Sequence, residues 1–303
     1  MPRRIAITGA SGMIGTALSA HLTGRGDDVL HLVRRPPRTP AEIRWDPASR
    51  SMDAGLLSGV DAVVHLAGAG VGDHRWTPAY KKLILTSRVD STLAIANAVA
   101  QLAGNGQPVS LVSASATGFY GSERGDETLT EDSAPGSGFL VDVVQAWEAA
   151  ADPARAAGVR VVHPRTGLVM SARGGAFERL LQLAAKGLGG PLGSGQQWWS
   201  WLTMRDEIRA LAFLIDNPAV SGPVNLVSPT PQRQADIATA LGAALHRPAL
   251  VPAPAIALKL VLGEFARDVV GSARVLPRVL TASGFTFEHD RIDAGVRWLV
   301  DQR

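Results

Sequence analysis

The chain has 303 residues, of which 46% are hydrophobic and 19% charged, and this composition is typical of a folded globular protein with a sizeable core. It contains no cysteine, which excludes disulfides and thiolate metal sites and favours a reducing compartment. The formal net charge is only +3 and no run of five basic residues occurs, so a nucleic-acid-binding tail is not expected.

The first predicted strand, Ile5–Thr8, leads directly into glycines spaced G-x-x-G-x-x-G, and a helical pattern follows at Gly12–Gly24. In such a turn Gly9 permits the tight bend, Gly12 lets the backbone approach a pyrophosphate, and Gly15 lets helix and strand pack closely. The alternative is a glycine-rich structural turn, but its place between a strand and a helix favours a dinucleotide site. The binding residues expected here are Gly9, Ser11, Gly12, Met13, Ile14 and Gly15.

The second predicted strand, Val29–Arg34, bears on the choice of dinucleotide. NAD sites usually carry Asp or Glu about 20 residues after the glycines, where it binds the ribose hydroxyls. This strand instead ends in Arg34 and Arg35, whose guanidinium groups suit the 2′-phosphate of NADP. The alternative is a pair of solvated surface arginines. We therefore expect NADP(H) as the cofactor, with Arg34 and Arg35 at its 2′-phosphate.

Two further strands are predicted at Glu42–Trp45 and Ala62–Leu66, and the second runs into small residues. Small side chains there leave room for the ribose and pyrophosphate of a cofactor over the strand end. His65 in this strand is interpreted as a packed histidine, with a catalytic role as the alternative. The binding residues expected at this strand end are Leu66, Ala67 and Gly68.

Thr77 and Pro78 predict the start of a long helix, Pro78–Leu102, because threonine caps a helix and proline suits its first position. Arg88 on this helix is expected to point back toward the cofactor, with a surface ion pair as the alternative. The chain continues with strands at Val109–Ser113 and Val159–Pro164, and a helix is predicted between them at Phe139–Ala157. This alternation is typical of an α/β fold with a parallel, doubly wound sheet.

After Arg165, glycines and prolines break the chain into loops around one short helix. A helix at Met204–Asp216 and a strand at Val224–Val227 then return to the sheet, and a further helix is expected to start at Thr230-Pro231. The predicted organisation is an NADP-binding Rossmann-type domain with a smaller, mainly helical C-terminal substrate lid. The first comprises residues 1–170 and 204–228, and the second residues 171–203 and 229–303.

The fifth strand ends in Ser113-Ala114-Ser115-Ala116-Thr117-Gly118-Phe119-Tyr120-Gly121. Together with the Thr8-Gly9 start, this segment resembles the extended short-chain dehydrogenase/reductase superfamily, which contains sugar-nucleotide epimerases and dehydratases. The tail, with Pro252-x-Pro254 and Ser283-Gly284-Phe285-x-Phe287, is similar to the atypical epimerase-like subgroup. That subgroup ends in a small helical domain of unassigned function.

The resemblance implies that Ser115 hydrogen-bonds the reacting oxygen of a substrate. It also implies cofactor contacts near the nicotinamide from Ser113, Pro164 and Leu168. Homodimers through long helices are common in the superfamily, and the helices at 78–102 and 139–151 are the candidates for such a contact.

The superfamily's usual proton donor is a Tyr-x-x-x-Lys pair, and this chain departs from it. The chain has only two tyrosines, and neither is followed by lysine at the required spacing. If Glu148 keeps its usual register, Leu140 and Val144 occupy the two positions, and neither side chain transfers a proton. Tyr120 is the remaining candidate donor if it faces the site, with a packed aromatic as the alternative.

Three other features have a structural reading beside a functional one. The acidic residues between Asp126 and Asp132 are interpreted as a solvated turn, with substrate contact as the alternative. The cluster at residues 198–201 is interpreted as core packing, with a cavity wall as the alternative. Asp206 follows Thr203 by three residues, which is a helix-capping pattern.

Two functions agree with these features. The first is an NADP(H)-dependent oxidoreductase, epimerase-like by descent, acting on an unknown small-molecule substrate. The second is a catalytically silent NADPH-binding sensor or regulatory protein. The histidines are scattered, so no metal site is expected. The apolar N-terminal stretch stops too early for a signal peptide, and residues 249–263 are interrupted by prolines and Lys259, so a cytoplasmic protein without membrane contact is expected.

Overall fold

The computed structural model describes residues 2–303. Its strands are β1 Arg4–Thr8, β2 Asp28–Val33, β3 Glu42–Arg44, β4 Ala62–His65, β5 Ser110–Ser113, β6 Ser115–Ala116, β7 Glu123–Leu129, β8 Arg160–Thr166, β9 Leu168–Met170, β10 Trp198–Trp199, β11 Trp201–Thr203, β12 Gly222–Leu226, β13 Gln232–Arg233 and β14 Ser272–Val275. Its α-helices are α1 Met13–Gly24, α2 Pro78–Gly104, α3 Phe139–Ala149, α4 Asp152–Ala156, α5 Gly175–Ala185, α6 Met204–Asp216, α7 Gln234–Ala244, α8 Ala255–Leu262, α9 Ala266–Val269, α10 Arg278–Ala282 and α11 Ile292–Asp301.

The main sheet is parallel throughout and has the strand order β3-β2-β1-β4-β5-β8-β12, with β6 continuing beside β8. The direction of strand succession reverses between β1 and β4. In doubly wound sheets the carboxyl ends of the strands open a ligand crevice at such a reversal. The predicted Rossmann-type fold is confirmed, and the glycine turn after β1 lies at the crevice.

Helices cover both faces of this sheet, which explains the continuous apolar runs in its strands. On β1, Ile5 and Ile7 are buried in a core with α1 and α6, to which Leu18 and Leu211 belong. Ala6 lies in the opposite core, which α2 and α4 complete. Successive residues of a strand point to opposite faces, so one strand serves both cores.

A third core, formed by the second half of the chain, joins α5, α7 and α11. Trp199 and Trp201 are buried in it, and the Trp201 indole N–H donates to the carbonyl of Thr230 at 3.0 Å. Core packing is therefore confirmed for these two tryptophans. Trp198 is half-buried instead, and the guanidinium carbons of Arg233 and Arg274 lie 4.1 and 4.7 Å from its ring centre.

Helix caps were predicted at Thr77, before α2, and at Thr203, before α6. Thr77 Oγ1 accepts from the amide of Tyr80 at 3.1 Å, and Thr203 Oγ1 accepts from the amide of Asp206 at 3.2 Å, so both predicted caps are confirmed. Both Asp206 carboxylate oxygens also accept backbone amides of the C-terminal segment, from Glu288 and His289, each at 2.9 Å. This carboxylate therefore ties the end of the chain to α6.

Two predicted helices were placed incorrectly. The helix predicted at Phe139–Ala157 is divided into α3 and α4, and Pro153, which lacks a backbone N–H, stands in the first turn of α4. The helix predicted from Thr230-Pro231 begins only at Gln234, because the two preceding residues pair antiparallel with β10. Within residues 2–303, no helix has both the length and the apolar character needed to cross a bilayer.

Candidate functional site

The glycine turn is tightly constrained by backbone contacts. Gly9 has a φ of +68°, and a Cβ on it would lie 2.9 Å from the carbonyl carbon of Leu66. A Cβ on Gly15 would lie 2.2 Å from the carbonyl oxygen of Gly9. Side chains larger than hydrogen therefore do not fit at these two positions, and the start of α1 packs directly against the end of β1.

Two cavities meet at this turn, and both include Gly9, Gly12 and Leu66 in their walls. The larger, which we call the β2 cavity, has a volume of about 900 Å³ and extends over the end of β2. The smaller, which we call the β8 cavity, has a volume of about 240 Å³ and reaches the ends of β6 and β8. Together they form a cleft across the strand reversal.

Most of the predicted site residues line this cleft. The β2 cavity includes Gly9, Ser11, Gly12, Arg34, Arg35, Leu66, Ala67 and Gly68. The β8 cavity includes Gly9, Gly12, Met13, Ile14, Gly15, Leu66, Ser115 and Pro164. Four predicted residues lie outside both walls: Arg88, Ser113, Tyr120 and Leu168.

The two arginines after β2 have different surroundings. Arg34 is exposed, and the structure gives its side chain no hydrogen-bond or ion-pair partner among residues 2–303. Arg35 instead donates two hydrogen bonds to the Glu42 carboxylate, at 2.7 and 2.5 Å. Hydrogen bonds from Arg35 and from the Arg38 amide lower the pKa of Glu42 to about 2. Arg34 is therefore the guanidinium of this pair that has no protein partner.

His65 is fully buried at the end of β4 and is confirmed as a packed histidine. Its Nδ1 lies 2.8 Å from Thr8 Oγ1, and its Nε2 lies 3.0 Å from Ser91 Oγ. Burial lowers the pKa of this imidazole to about 3. Because Thr8 Oγ1 also accepts the amides of Leu66 and Ala67, it donates to Nδ1, which leaves the ring proton on Nε2. The network positions the loop that follows β4.

Arg88 contacts the loop that follows β4 on the side away from the β2 cavity. Its Nη1 donates to the carbonyl of Ala69 at 2.8 Å, and its guanidinium carbon lies 4.9 Å from the ring centre of Trp147. Burial lowers the pKa of Arg88 to about 10. A Cβ on Gly68 would lie 3.3 Å from that guanidinium carbon, so Arg88 lies beneath the loop wall rather than in the cavity.

Ser115 lies in the wall of the β8 cavity and belongs to a buried hydrogen-bond network. Its hydroxyl donates to the Glu148 carboxylate at 2.6 Å, and Arg165 donates two further hydrogen bonds to that carboxylate at 2.8 and 2.9 Å. Although burial opposes its ionisation, the hydrogen bonds from Arg165 hold the pKa of Glu148 below its ordinary value. Since an ionised carboxylate only accepts, the Ser115 proton points to Glu148 and its lone pairs are left for another partner.

Tyr120 belongs to the same hydrogen-bond network, through Arg165, and is fully buried. Its hydroxyl donates to Asn225 Oδ1 at 2.7 Å and accepts from Arg165 Nη1 at 3.2 Å. Burial raises the pKa of this phenol. The structure therefore does not bring Tyr120 into the cleft, because tertiary contacts with strands distant in sequence occupy its hydroxyl.

The acidic residues before α3 are not uniformly solvated. Glu131 is buried, and its Oε1 accepts the amides of Asn225 and Val279, at 3.0 and 3.1 Å. Asp126 is exposed and accepts from the Trp198 indole N–H at 2.7 Å. Glu131 thus connects β12 to the first turn of α10, which sequence position alone did not indicate.

Leu140 and Val144, which were predicted to occupy the positions of the usual Tyr and Lys, lie on α3. Side-chain carbons of Leu140 and Val144 lie 3.6 and 3.8 Å from where a Cβ on Gly118 would be. Among the described residues 2–303, no tyrosine and no lysine appears in the wall of either cavity. The ionisable side chain that the β8 cavity does contain is Glu207, which sequence reasoning missed.

Glu207 was not predicted as a site residue because the capping pattern of Thr203 and Asp206 already explains the start of α6. Its carboxyl group is fully buried, and Thr166 donates to Oε1 at 2.9 Å. Burial raises the pKa of Glu207 to about 8, which Thr166 opposes only in part. Two acidic residues in the first turn of a helix are a common capping composition, so the sequence carried no signal that separated the buried one.

The remaining two predicted contacts also fall outside the cleft. Ser113 is fully buried in β5, and its carbonyl faces the ring of His163 at 3.3 Å. Leu168 packs against the third core. No cluster of three or more histidine, aspartate or glutamate side chains that could hold a metal ion occurs in the part of the chain described.

Comparison with protein families gives two matches. The model of the NAD dependent epimerase/dehydratase family matches residues 5–227, and the model of a domain of unknown function, DUF1731, matches residues 253–299. An epimerase family protein of Mycobacterium bovis is 42% identical over 290 residues, which cover 95% of this chain and 94% of that protein. One from Staphylococcus aureus is 34% identical, with 98% of each chain covered.

Solved structures show the same relationship. The human epimerase family protein SDR39U1, determined with NADPH, is 30% identical with a TM-score of 0.87, and 99% of this chain and 100% of that chain are covered. A nucleoside-diphosphate sugar epimerase from Corynebacterium glutamicum is 36% identical with a TM-score of 0.80. That match covers 98% of this chain, which spans 57% of the Corynebacterium chain.

Proposed function

Since this chain belongs to the NAD-dependent epimerase/dehydratase family, we propose that it binds NADP(H) along the cleft and acts as an oxidoreductase or epimerase-like enzyme on a small-molecule substrate. The observation that carries this proposal is the continuity of the two cavities through the glycine turn, with Arg34 at one end and Ser115 at the other. The presence of NADPH in the human relative's structure supports it.

The residues present fit an elongated dinucleotide. The glycine turn leaves no space for side chains where the phosphates would lie, and the first turn of α1 offers its free amides there. Arg34 would hold the 2′-phosphate of the adenosine ribose, because it has no competing carboxylate. The apolar wall formed by Met13, Ile14 and Pro164 would take the nicotinamide ring.

When bound, the nicotinamide supplies hydride transfer, and the protein must orient the substrate and manage one proton. Ser115 presents its lone pairs to the cavity while Glu148 holds its proton. This arrangement suits a substrate hydroxyl, which donates to Ser115, better than a carbonyl, which would require Ser115 to release Glu148. We therefore propose an alcohol group as the part of the substrate that faces Ser115.

A second function, a catalytically silent NADPH-binding sensor, is favoured by one observation. Neither cavity wall contains a tyrosine or a lysine among the residues described, and the Ser115 proton already has an acceptor. A protein that binds the cofactor without turning it over would need no proton donor at this place.

The test is to incubate the purified protein with NADPH and a panel of aldehydes, ketones and quinones, and with NADP+ and the matching alcohols. The change in absorbance of the reduced cofactor reports turnover, and a separate product assay reports epimerisation, which leaves no net change in cofactor. We expect Ser115→Ala to lower turnover by about a hundredfold if Ser115 orients the reacting oxygen.

The matched control is Thr92→Ala, which changes a fully buried hydroxyl residue of α2 outside both cavities and should leave turnover unchanged. Turnover that persists in Ser115→Ala would refute the role of Ser115. Tight NADPH binding without turnover of any substrate would favour the sensor function. The homodimer, the cytoplasmic location and the division into nucleotide domain and lid remain predictions.

A further inference from the structure

A buried carboxyl group without a partner for one of its oxygens belongs to a residue in the wall of the β8 cavity. Glu207 Oε1 accepts from Thr166, whereas Oε2 has no hydrogen-bond partner among residues 2–303 and is shielded from solvent. The Glu207 side chain is part of the cavity wall. Buried polar atoms in native proteins are nearly always satisfied, so an orphaned oxygen at a cavity indicates a group that enters the cavity.

The surroundings of Glu207 favour its neutral form. Among the other charged residues on the same helix, Asp206 and Arg209 are paired with each other and with the segment at residues 286–289. Arg205 is paired with Glu288, and Asp216, at the far end of the helix, is paired with Arg25. On β8, Arg165 turns to the opposite face and pairs with Glu148.

On α1, the ionisable side chain is His21, near the end remote from the cavity. No charged group therefore compensates a negative charge on Glu207, and burial alone keeps its pKa near 8. At neutral pH Thr166 donates to the carbonyl-type oxygen Oε1, so Oε2 carries the proton and is the donor.

The position of the cavity identifies the part of the ligand that it would receive. A dinucleotide on this fold runs from the end of β2, across the glycine turn, toward the strands beyond the reversal. The β8 cavity therefore lies at the nicotinamide end. Its walls are otherwise largely apolar, with Met13, Ile14, Leu66 and Leu211 among them, and these suit a flat ring. The polar group of that ring is its carboxamide.

We infer that Glu207 is the residue that holds the nicotinamide carboxamide, by donating a hydrogen bond from Oε2 to the carboxamide oxygen. This inference rests on the proposed binding of NADP(H) in the cleft. Glu207 is a cofactor-positioning residue, because it orients the ring and leaves the reacting atoms to other groups. When Glu207 ionises, its charge lies beside the ring and favours the oxidised, cationic nicotinamide over the reduced, neutral one.

Titration calorimetry with three ligands tests this inference: NADPH, NADP+ and adenosine 2′,5′-bisphosphate, which lacks the nicotinamide. We expect Glu207→Leu to weaken NADPH about tenfold, the loss of one buried hydrogen bond, and to leave adenosine 2′,5′-bisphosphate unchanged. Glu207→Gln keeps a donor of the same shape and should remain within about threefold of the unmodified protein. Thr92→Ala, in α2, is the control for a buried change outside both cavities.

A pH series supplies a readout that a purely structural role would not move. Between pH 6 and pH 9, the affinity for NADP+ relative to NADPH should rise several-fold in the unmodified protein and stay constant in Glu207→Gln. This comparison also tests the inference if Glu207→Leu fails to fold.

The outcomes separate this inference from the proposed function. If the unmodified protein binds neither NADPH nor adenosine 2′,5′-bisphosphate, the proposed function fails and the inference with it. If both bind but Glu207→Leu weakens them equally or not at all, only the role of Glu207 is overturned. A ratio of NADP+ to NADPH affinity that changes with pH equally in Glu207→Gln would also overturn it.

Discussion

The two cavities handle charge in opposite ways. In the β2 cavity, Arg34 is exposed and has no protein partner among the residues described. In the wall of the β8 cavity, the Glu207 carboxyl group is buried and neutral, and behind Ser115 the Glu148 carboxylate is paired with Arg165. Leaving a charge unpaired costs little in water and much in a buried place, where it must be paired or lose its charge. Substitutions at the first cavity should therefore change ligand affinity, and substitutions at the second should also change folding.

The largest effect is expected from breaking the buried ion pair. Glu148→Leu leaves the Arg165 guanidinium, whose side chain is only 4% exposed, without a counter-charge, and we expect a loss of about 3 kcal/mol in the free energy of unfolding. Urea denaturation measures this loss. The double variant Glu148→Leu/Arg165→Leu should lose less than the sum of the single variants, and strict additivity would contradict the pairing.

The control for that experiment is an exposed ion pair. Arg291, with a side chain 75% exposed, lies 3.3 Å from Asp293. Arg291→Leu should change the free energy of unfolding by less than about 0.5 kcal/mol, because solvent screens such pairs. A loss at Arg291 as large as the loss at Glu148 would show that burial is not the deciding difference.

The glycine turn joins the two cavities, and the next largest effect is expected there. Gly15→Ala places a Cβ against the carbonyl oxygen of Gly9, so the start of α1 must shift, at a cost of about 2 to 3 kcal/mol. NADPH affinity should fall in the same variant, measured by calorimetry.

Gly24→Ala, in the last turn of the same helix, meets no atom within 4 Å and is the matched control. It should be neutral or stabilise the protein by up to about 1 kcal/mol, because alanine favours helices. Unchanged stability and affinity in Gly15→Ala would exclude the tight packing that the turn shows.

A smaller effect, confined to affinity, is expected in the β2 cavity. Arg34→Ala should weaken NADPH about tenfold, the loss of a charge-assisted hydrogen bond to the 2′-phosphate, and should leave NADH and the free energy of unfolding unchanged. Arg38→Ala, nearby in the chain and also exposed, should change neither affinity.

Arg35→Ala tests whether Arg34 is the main contact of the 2′-phosphate, because the Arg35 guanidinium is already paired with the Glu42 carboxylate. Its effect on NADPH should be smaller than that of Arg34→Ala. If the Arg34→Ala/Arg35→Ala double variant lost equal affinity for NADPH and NADH, the choice of NADP would be wrong.

The smallest effect is a dependence of stability on pH. The pKa of Glu207 is raised by burial from 4.5 to about 8, so the folded state favours the protonated acid. Its contribution to stability is complete below pH 4.5 and is lost as the pH rises toward 8, because the unfolded chain then ionises first. Between pH 6 and pH 7, Glu207→Gln should gain about 1 kcal/mol relative to the unmodified protein. A constant difference over this interval would show that Glu207 is ionised in the folded state.

Local features of the chain predicted most of the sheet and the phosphate turn. The strand, the turn and the helix at residues 4–24 could be predicted because each depends on neighbours within a few residues: apolar periodicity, a glycine that must adopt positive φ, and a helix start. The caps at Thr77 and Thr203 are equally local. The same locality explains why the helix expected at Thr230-Pro231 was wrong, since pairing with β10 is a distant contact.

The side-chain chemistry of the site depended on distant contacts instead. Tyr120 meets Asn225, 105 residues away in the chain, and Thr166 meets Glu207 from 41 residues away. A sequence pattern does not show whether a hydroxyl group already has a hydrogen-bond partner. It also does not show which carboxyl group becomes buried when the chain folds. For that reason Tyr120 was a candidate donor, and Glu207 was not among the predicted site residues.

The sequence by itself determined the Rossmann-type sheet, the glycine turn and the absence of a Tyr-x-x-x-Lys pair, because these depend on residue identity and short-range backbone preferences. Only the tertiary structure decided which groups face the cleft: Arg34 without a protein partner, Ser115 with its proton committed to Glu148, and Glu207 buried and neutral. The physical reason is that burial and hydrogen-bond partners, which control charge, arise only when segments far apart in the chain come together.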